Sequence, residues 1–168
     1  MSSKLVDEIE KKLICSFRIA DRLFGFDIRL VKEIITEFQI TPVFHAPEPV
    51  KGFMNLRGQI HLILDLRMVL GFERKLGFQP KFIIIFKPSV SEPFGVLVEK
   101  IEDIVEISDE MVERSSFTRS PDDRILGVCK LSSGLLILLN PLSILKEVSM
   151  DTWKIDHRLE EVKNENRN

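Results

Sequence analysis

Tyrosine is absent from this 168-residue sequence and tryptophan occurs once, although phenylalanine occurs 12 times. Surfaces that stack on nucleic-acid bases or serve as paratopes draw on the amphipathic rings of Tyr and Trp. Neither kind of surface is expected here, and the phenylalanines, which fall mostly in strand-like runs, are assigned to a core. No charge sign dominates: 24 basic and 26 acidic residues leave a formal net charge of −2. That balance, with the basic residues dispersed rather than striped, excludes a field that would hold nucleic acid or a membrane surface. Cysteine occurs only at Cys15 and Cys129. Each lies inside an apolar run, which reads as a buried free thiol rather than half of a disulfide or metal site. The longest apolar runs, Phe82–Phe86 and Leu135–Leu139, are five residues each, far short of the roughly 20 that span a bilayer. The charged start, Met1 to Lys12, lacks the apolar segment of a secretory signal. A cytoplasmic, soluble protein without membrane insertion is expected.

Motifs of chemistry are missing as well. There is no GxGxxG, Walker, HExxH, CxxC or GxSxG pattern. The three histidines, His45, His61 and His157, have no ligand spacing. His61 reads as a half-exposed packing residue on a strand and His45 as a surface residue in a proline-rich loop. No catalytic group, cofactor or metal is expected.

What the sequence does carry is concentrated between Gly52 and Gly71. Phe53, Met54 and Leu56 supply an apolar strand. Arg57-Gly58 forms a turn, with Gly58 free to take a positive φ. Ile60, Leu62 and Leu64 then alternate with Gln59, His61 and Ile63 at strand period. Asp65 stands where a helix N-cap belongs, ahead of Leu66-Arg67-Met68, which outweighs a role as catalytic acid. Gly71 closes the helix as its C′ residue. Arg57, beside Asn55, is a cation at a turn tip that this local structure does not require. Glu33, in Val31-Lys32-Glu33-Ile34, is either a solvated strand carboxylate or a partner contact.

Elsewhere, Ser3–Lys12 reads as a short polar helix and Leu13–Ala20 as a strand with Leu13, Cys15, Phe17 and Ile19 on one face. Asp21-Arg22 is a turn, followed by a strand over Leu23–Ile28 in which Gly25 marks a bulge or a close backbone approach. Val31–Ile35 follows, then a strand over about Phe38–Val43 and a proline-locked loop from His45. Beyond a linker at Phe72–Pro80, strands are expected at Lys81–Lys87, Phe94–Val98, Ile101–Ile107, Ile125–Leu131 and Leu135–Leu139. Ser108 begins a capped helical turn, Arg114–Arg124 is a polar loop, and Asn140-Pro141 opens a helix as cap and first residue. The charged tail from Asp151 carries a partial apolar stripe of Trp153, Ile155 and Leu159 and reads as part helical.

The sequence also repeats itself. A shift of 75 residues places Gly52 on Gly127, Leu56 on Leu131, Leu64 on Leu139, Asp65 on Asn140 and Leu70 on Leu145. A shift of 70 places Phe24-Gly25 on Phe94-Gly95, Val31 on Ile101, Glu33 on Asp103 and Ile34 on Ile104. Hairpin and capped helix are thus written twice. Two homologous β lobes follow, each of about five short strands, which favours small barrels. The second hairpin turn is Ser132-Ser133-Gly134; a shared fold needs a turn there but not Arg57.

Gly52-x-x-Asn55-Leu56-Arg57-Gly58-x-Ile60, then Asp65-Leu66-Arg67 and Leu70-Gly71, resembles the signature of CheW-like chemotaxis coupling proteins. Phe24-Gly25-x-x-Ile28-x-x-Val31-x-Glu33-Ile34 and Ile40-Thr41-Pro42-Val43 fit the same family in order and spacing. The resemblance covers about residues 13–147; Leu62 stands where the family often has proline. It implies a mainly β fold of two similar five-stranded Src-homology-3-like barrels, which could exchange strands between 13–71 and 81–147. Residues 1–12 would form an N-terminal helical segment and 148–168 a charged tail. It further implies a non-catalytic adaptor between chemoreceptor cytoplasmic tips and the regulatory domain of the histidine kinase CheA. Arg57, Glu33, Val31, Ile34, Asn55 and Gly58 would then serve partner binding, and Asp65, Asn140, Gly52 and Gly71 would serve as caps and turns. Rival readings are a CheW-like adaptor of a twitching or other non-flagellar pathway, or a small-ligand, enzymatic or nucleic-acid-binding double barrel.

Overall fold

The computed structural model describes residues 10–77, 79–114 and 123–148. Among the described residues eleven strands run in chain order: β1 (Lys11–Ile19), β2 (Arg22–Asp27), β3 (Val31–Ile35), β4 (Val50–Leu56), β5 (Gln59–Asp65), β6 (Phe82–Phe86), β7 (Phe94–Val98), β8 (Lys100–Ser108), β9 (Val112–Glu113), β10 (Ile125–Leu131) and β11 (Gly134–Leu139). The described helices are α1 (Leu66–Val69), with Asp65 as its cap, and α2 over 141–148. Short 3-10 turns occupy Ile28–Leu30 and Asp109–Met111.

The strands form two curved sheets of Src-homology-3-like barrel type, ordered β8-β1-β2-β11-β10-β9 and β3-β6-β7-β5-β4. The first five positions of the two sheets match in pairing sense as well as order. A hairpin (β1–β2 or β6–β7) has an antiparallel strand on one side (β8 or β3) and a parallel strand on the other (β11 or β5). Each sheet therefore contains strands from both copies of the repeat. Its details recur too: the β4–β5 register shifts at Gly52 and the β10–β11 register at Gly127. Asp65 N–H donates to the Pro49 carbonyl (2.7 Å) and Asn140 N–H to the Arg124 carbonyl (2.8 Å), the same bond 75 residues apart.

Three apolar cores follow from this topology among the described residues. Met54, Ile63, Ile83, Ile85 and Leu97 fill one barrel, and Ile14, Ile107, Cys129, Leu136 and Leu138 the other. The largest lies between the sheets and stacks Phe17, Phe24, Phe26, Phe86 and Phe94 with Ile84, Leu66 and Ile144. Strands β6 and β7 are buried on both faces, so they read as continuous apolar runs. Gly25 and Gly95 lie at the crowded crossing of these layers. A Cβ on Gly25 would stand 2.2 Å from Ile14 Cγ2, and one on Gly95 2.7 Å from Ile85 Cδ1. Close approach, not a bulge, is what Gly25 serves, since it pairs in register with Ser16.

Several expectations need correction. Strand β1 starts at Lys11, so an N-terminal helix cannot extend to Lys12; residues 1–9 lie outside the described set, as do 115–122 of the polar loop and the tail beyond 148. The β1–β2 turn is Ala20-Asp21, both left-handed (φ 49° and 61°). The stretch Phe38–Val43 is not a strand: its proline-bounded backbone makes a single bridge, Thr41 to Phe53. Ser108 gives no side-chain cap to the turn that follows it. His61 is 2% exposed rather than half-exposed, its Nδ1 lying 3.1 Å from the Gln59 carbonyl. The register turns it inward opposite Met54 and leaves Ile60 outside. Cys15 and Cys129 are buried free thiols, and burial pushes both above the usual thiol range.

Candidate functional site

The β4–β5 hairpin is closed by a two-residue turn in which Arg57 (φ 52°) and Gly58 (φ 85°) are both left-handed, the type I′ form that matches strand twist. Asn55 organises it, its Oδ1 accepting the Gly58 N–H at 2.9 Å. The left-handed region disfavours a residue with a Cβ by about 1–2 kcal/mol. Neither Ser132 nor Ser133 in the equivalent turn adopts it. The fold thus does not call for arginine at this position.

Glu33 meets that arginine from β3, at the other end of the sheet. Arg57 donates from both terminal nitrogens to the two Glu33 oxygens, each at 2.8 Å. The fork-to-fork geometry is directional and specific. The pair sits at the surface: the Arg57 side chain is 67% exposed and that of Glu33 25%. The Arg57 hydrogen bonds hold the Glu33 carboxyl below the usual carboxylate range, and Glu33 in turn raises Arg57. Screening by water leaves such a pair little weight in stability.

Apolar side chains flank these elements. Ile34 (38% exposed) follows Glu33, while Phe53 (43%) and Ile60 (56%) stand on the outer face of the hairpin. Val31 is partly buried against the inter-sheet core. Asp65 accepts N–H groups from Arg67 (3.0 Å) and Met68 (3.4 Å), and Asn140 accepts from Leu142 (3.1 Å). Gly71 takes φ 78° and donates its N–H to Met68; Gly52 takes φ 144° with its α-carbon face against the Thr41 carbonyl. Asp65 and Asn140 are thus helix caps and Gly71 a turn residue, whereas Gly52, expected at a cap or turn, lies within β4 at its bulge. Among the described residues no cluster of three or more His, Cys, Asp or Glu side chains suits a metal ion. None of the described helices is long and apolar enough to cross a membrane.

Sequence reasoning singled out Arg57 and Glu33 separately but not their pairing, because 24 residues of chain separate them without a local signal. It also took Phe53 and Ile60 as ordinary strand content; only the register shows that they face outward.

Two strand-exchanged barrels around a shared phenylalanine core, with a surface ion pair and exposed apolar side chains at one hairpin, define a double β-barrel protein. Residues 14–149 match the CheW-like domain, and the chain belongs to that family. It is 26% identical over 149 residues to "Chemotaxis protein CheW" of Thermotoga maritima, covering 87% of this chain and 95% of that protein. It is 33% identical over 122 residues to the "Chemotaxis protein CheW" of Rhizobium meliloti, covering 68% and 77%. The scaffolding protein TtCheW from Thermoanaerobacter tengcongensis superposes with a TM-score of 0.72 at 25% identity, over 80% of this chain and 92% of that one.

Proposed function

We propose that this protein is a non-catalytic chemotaxis adaptor that couples chemoreceptor cytoplasmic tips to the histidine kinase CheA, working in the cytoplasm at membrane receptor arrays. The observation that carries the reading is the Arg57–Glu33 pair, held on a strained turn that the duplicated hairpin does without. An exposed guanidinium fixed at a known angle can exchange its internal carboxylate for carbonyls or carboxylates of a partner helix. Ile34, Phe53 and Ile60 supply desolvated area around it, the usual division between apolar centre and polar rim. Val31 supports this surface from the inter-sheet core. Asn55 and Gly58 act on a partner through the Arg57 they position. The regulatory domain of the kinase would dock on a barrel end.

The test is titration of the purified chain with a receptor-tip helical fragment and, separately, with the CheA regulatory domain. Both should bind the wild type. Arg57→Ala keeps the backbone strain unchanged and isolates the side chain; it should weaken tip binding roughly ten- to a hundredfold, as hot-spot truncations do. Its melting temperature should stay near that of the wild type. A wild type that binds neither fragment overturns the adaptor reading. An Arg57→Ala variant with unchanged tip affinity overturns the role of Arg57.

A further inference from the structure

Helix α1 is gripped at both ends by side chains that belong to the opposite barrel or to the crossover between barrels. At its start, the Arg67 guanidinium pairs with Glu99, which lies between β7 of one sheet and β8 of the other. Both side chains are largely buried, 19% and 16% exposed. The second Glu99 oxygen accepts the N–H of Ala20 at 3.2 Å, in the left-handed β1–β2 turn of the other sheet. Arg67 also donates to the Glu73 carbonyl (2.6 Å). Phe72 continues the junction: Arg67 and Arg22 lie over its ring at 6.0 and 5.3 Å, and it meets Phe24 edge-on at 6.3 Å. At the end of α1, Arg124, just ahead of β10, donates to the Val69 carbonyl and pairs with Glu147 of α2 at 3.0 Å.

The repeat shows that none of this is required by the fold. Its equivalents of Arg67, Glu99 and Arg124 are Leu142, Arg29 and Pro49. Arg29 turns away to Asp27, and α2 meets the shared core through Ile144 and Val148. Both helices bury apolar side chains in the shared core, but among the described residues only the α1 junction adds a directional, charged grip at the crossover. Apolar packing fills a junction but names no donor–acceptor direction, because burial is non-directional. Charge-assisted bonds in a mostly desolvated place fix an angle.

We propose that Arg67 and Glu99, with Arg124 at the far end of α1, are positioning residues that set the angle between the two barrels and so the shape of the surface a receptor helix meets. The functional half rests on the adaptor reading above; the angle itself does not.

Spin labels at Lys32→Cys on β3 and Lys130→Cys on β10 report the inter-barrel distance in the full chain, the native thiols being buried. Arg67→Met should broaden that distance distribution and weaken binding of the receptor-tip fragment roughly fivefold, while binding of the CheA regulatory domain to one barrel end stays constant. Arg67→Lys, which keeps the charge but has one nitrogen where arginine reaches both Glu99 and the Glu73 carbonyl, should restore only part of both. Glu99→Gln, which keeps an acceptor for Ala20, is the milder variant should Arg67→Met fail to fold, and should give an intermediate width. A distribution unchanged in both variants overturns the angle-setting role. A broadened distribution with unchanged tip binding overturns its link to receptor docking. Wild-type protein that ignores the tip fragment defeats the adaptor reading and that link together, and leaves the distance result to decide the angle.

Discussion

At the scale of single residues, the repeat is the control. Positions that serve the barrel keep their character in both copies: Gly25 and Gly95 at crowded crossings, Gly52 and Gly127 at bulges, Asp65 and Asn140 as caps. Arg57 has no counterpart at Ser132-Ser133 and yet is held left-handed against Glu33. This has a measurable pH signature. The folded-state carboxyl of Glu33 titrates below its unfolded value, because Arg57 hydrogen-bonds the charged form. Its contribution is present above the ordinary carboxylate range and fades as pH falls through the lowered folded value. Carbon-detected NMR of the Glu33 carboxyl should therefore show an upward shift of its midpoint in Arg57→Ala, with no accompanying change in the midpoint of Glu102, which answers to Lys100 and Arg18. An unmoved Glu33 midpoint would mean the pair is not formed in solution.

At the scale of elements, glycine substitutions separate crowding from backbone strain. At Gly71 nothing lies within 4 Å of an added Cβ, so Gly71→Ala meets only the left-handed φ of 78° and should cost about 1 kcal/mol. Gly52→Ala meets both penalties, a φ of 144° and a carbonyl oxygen 2.1 Å away. It should cost at least about 3 kcal/mol, since the clash is with backbone and the bridge from Thr41 must break. Denaturant melts of the two variants check the order; equal losses would mean that the β4 bulge relaxes freely. The strands themselves were legible because their alternation, glycines and caps are local signals. The stretch Phe38–Val43 misled because its alternation is genuine, while Pro42 and the loop behind it deny it a ladder, leaving the lone bridge at Thr41. His61 misled for the converse reason: polarity suggested exposure, but pairing opposite Met54 turned it inward.

At the scale of the whole molecule, neither half of the chain owns a sheet. Residues 10–77 contain β1 to β5, but β1 and β2 pair in one sheet and β3 to β5 in the other, where β6 separates β3 from β7 and β5. The phenylalanine core between the sheets likewise joins Phe17 and Phe26 to Phe86 and Phe94. A fragment of residues 1–77 should therefore be unfolded alone, as should 78–168, and the two mixed should regain a cooperative melt. The far-UV circular dichroism of each fragment and of the mixture checks this; a first half that folds by itself would contradict the exchanged topology. One cooperative transition is also expected for the intact chain, because unfolding either sheet exposes the shared core.

The sequence by itself determined the strand content, the duplication, the caps and glycines, the family resemblance and the odd arginine at one turn. Each of these is written in neighbouring residues or in a fixed period. Tertiary structure alone decided which strands pair across the repeat, that Arg57 faces Glu33, that Ile60 lies outside and His61 inside, and that Arg67 and Glu99 meet at one barrel junction while their counterparts Leu142 and Arg29 do not. Those outcomes depend on register and on contacts between residues tens of positions apart, which chain-local propensity does not encode.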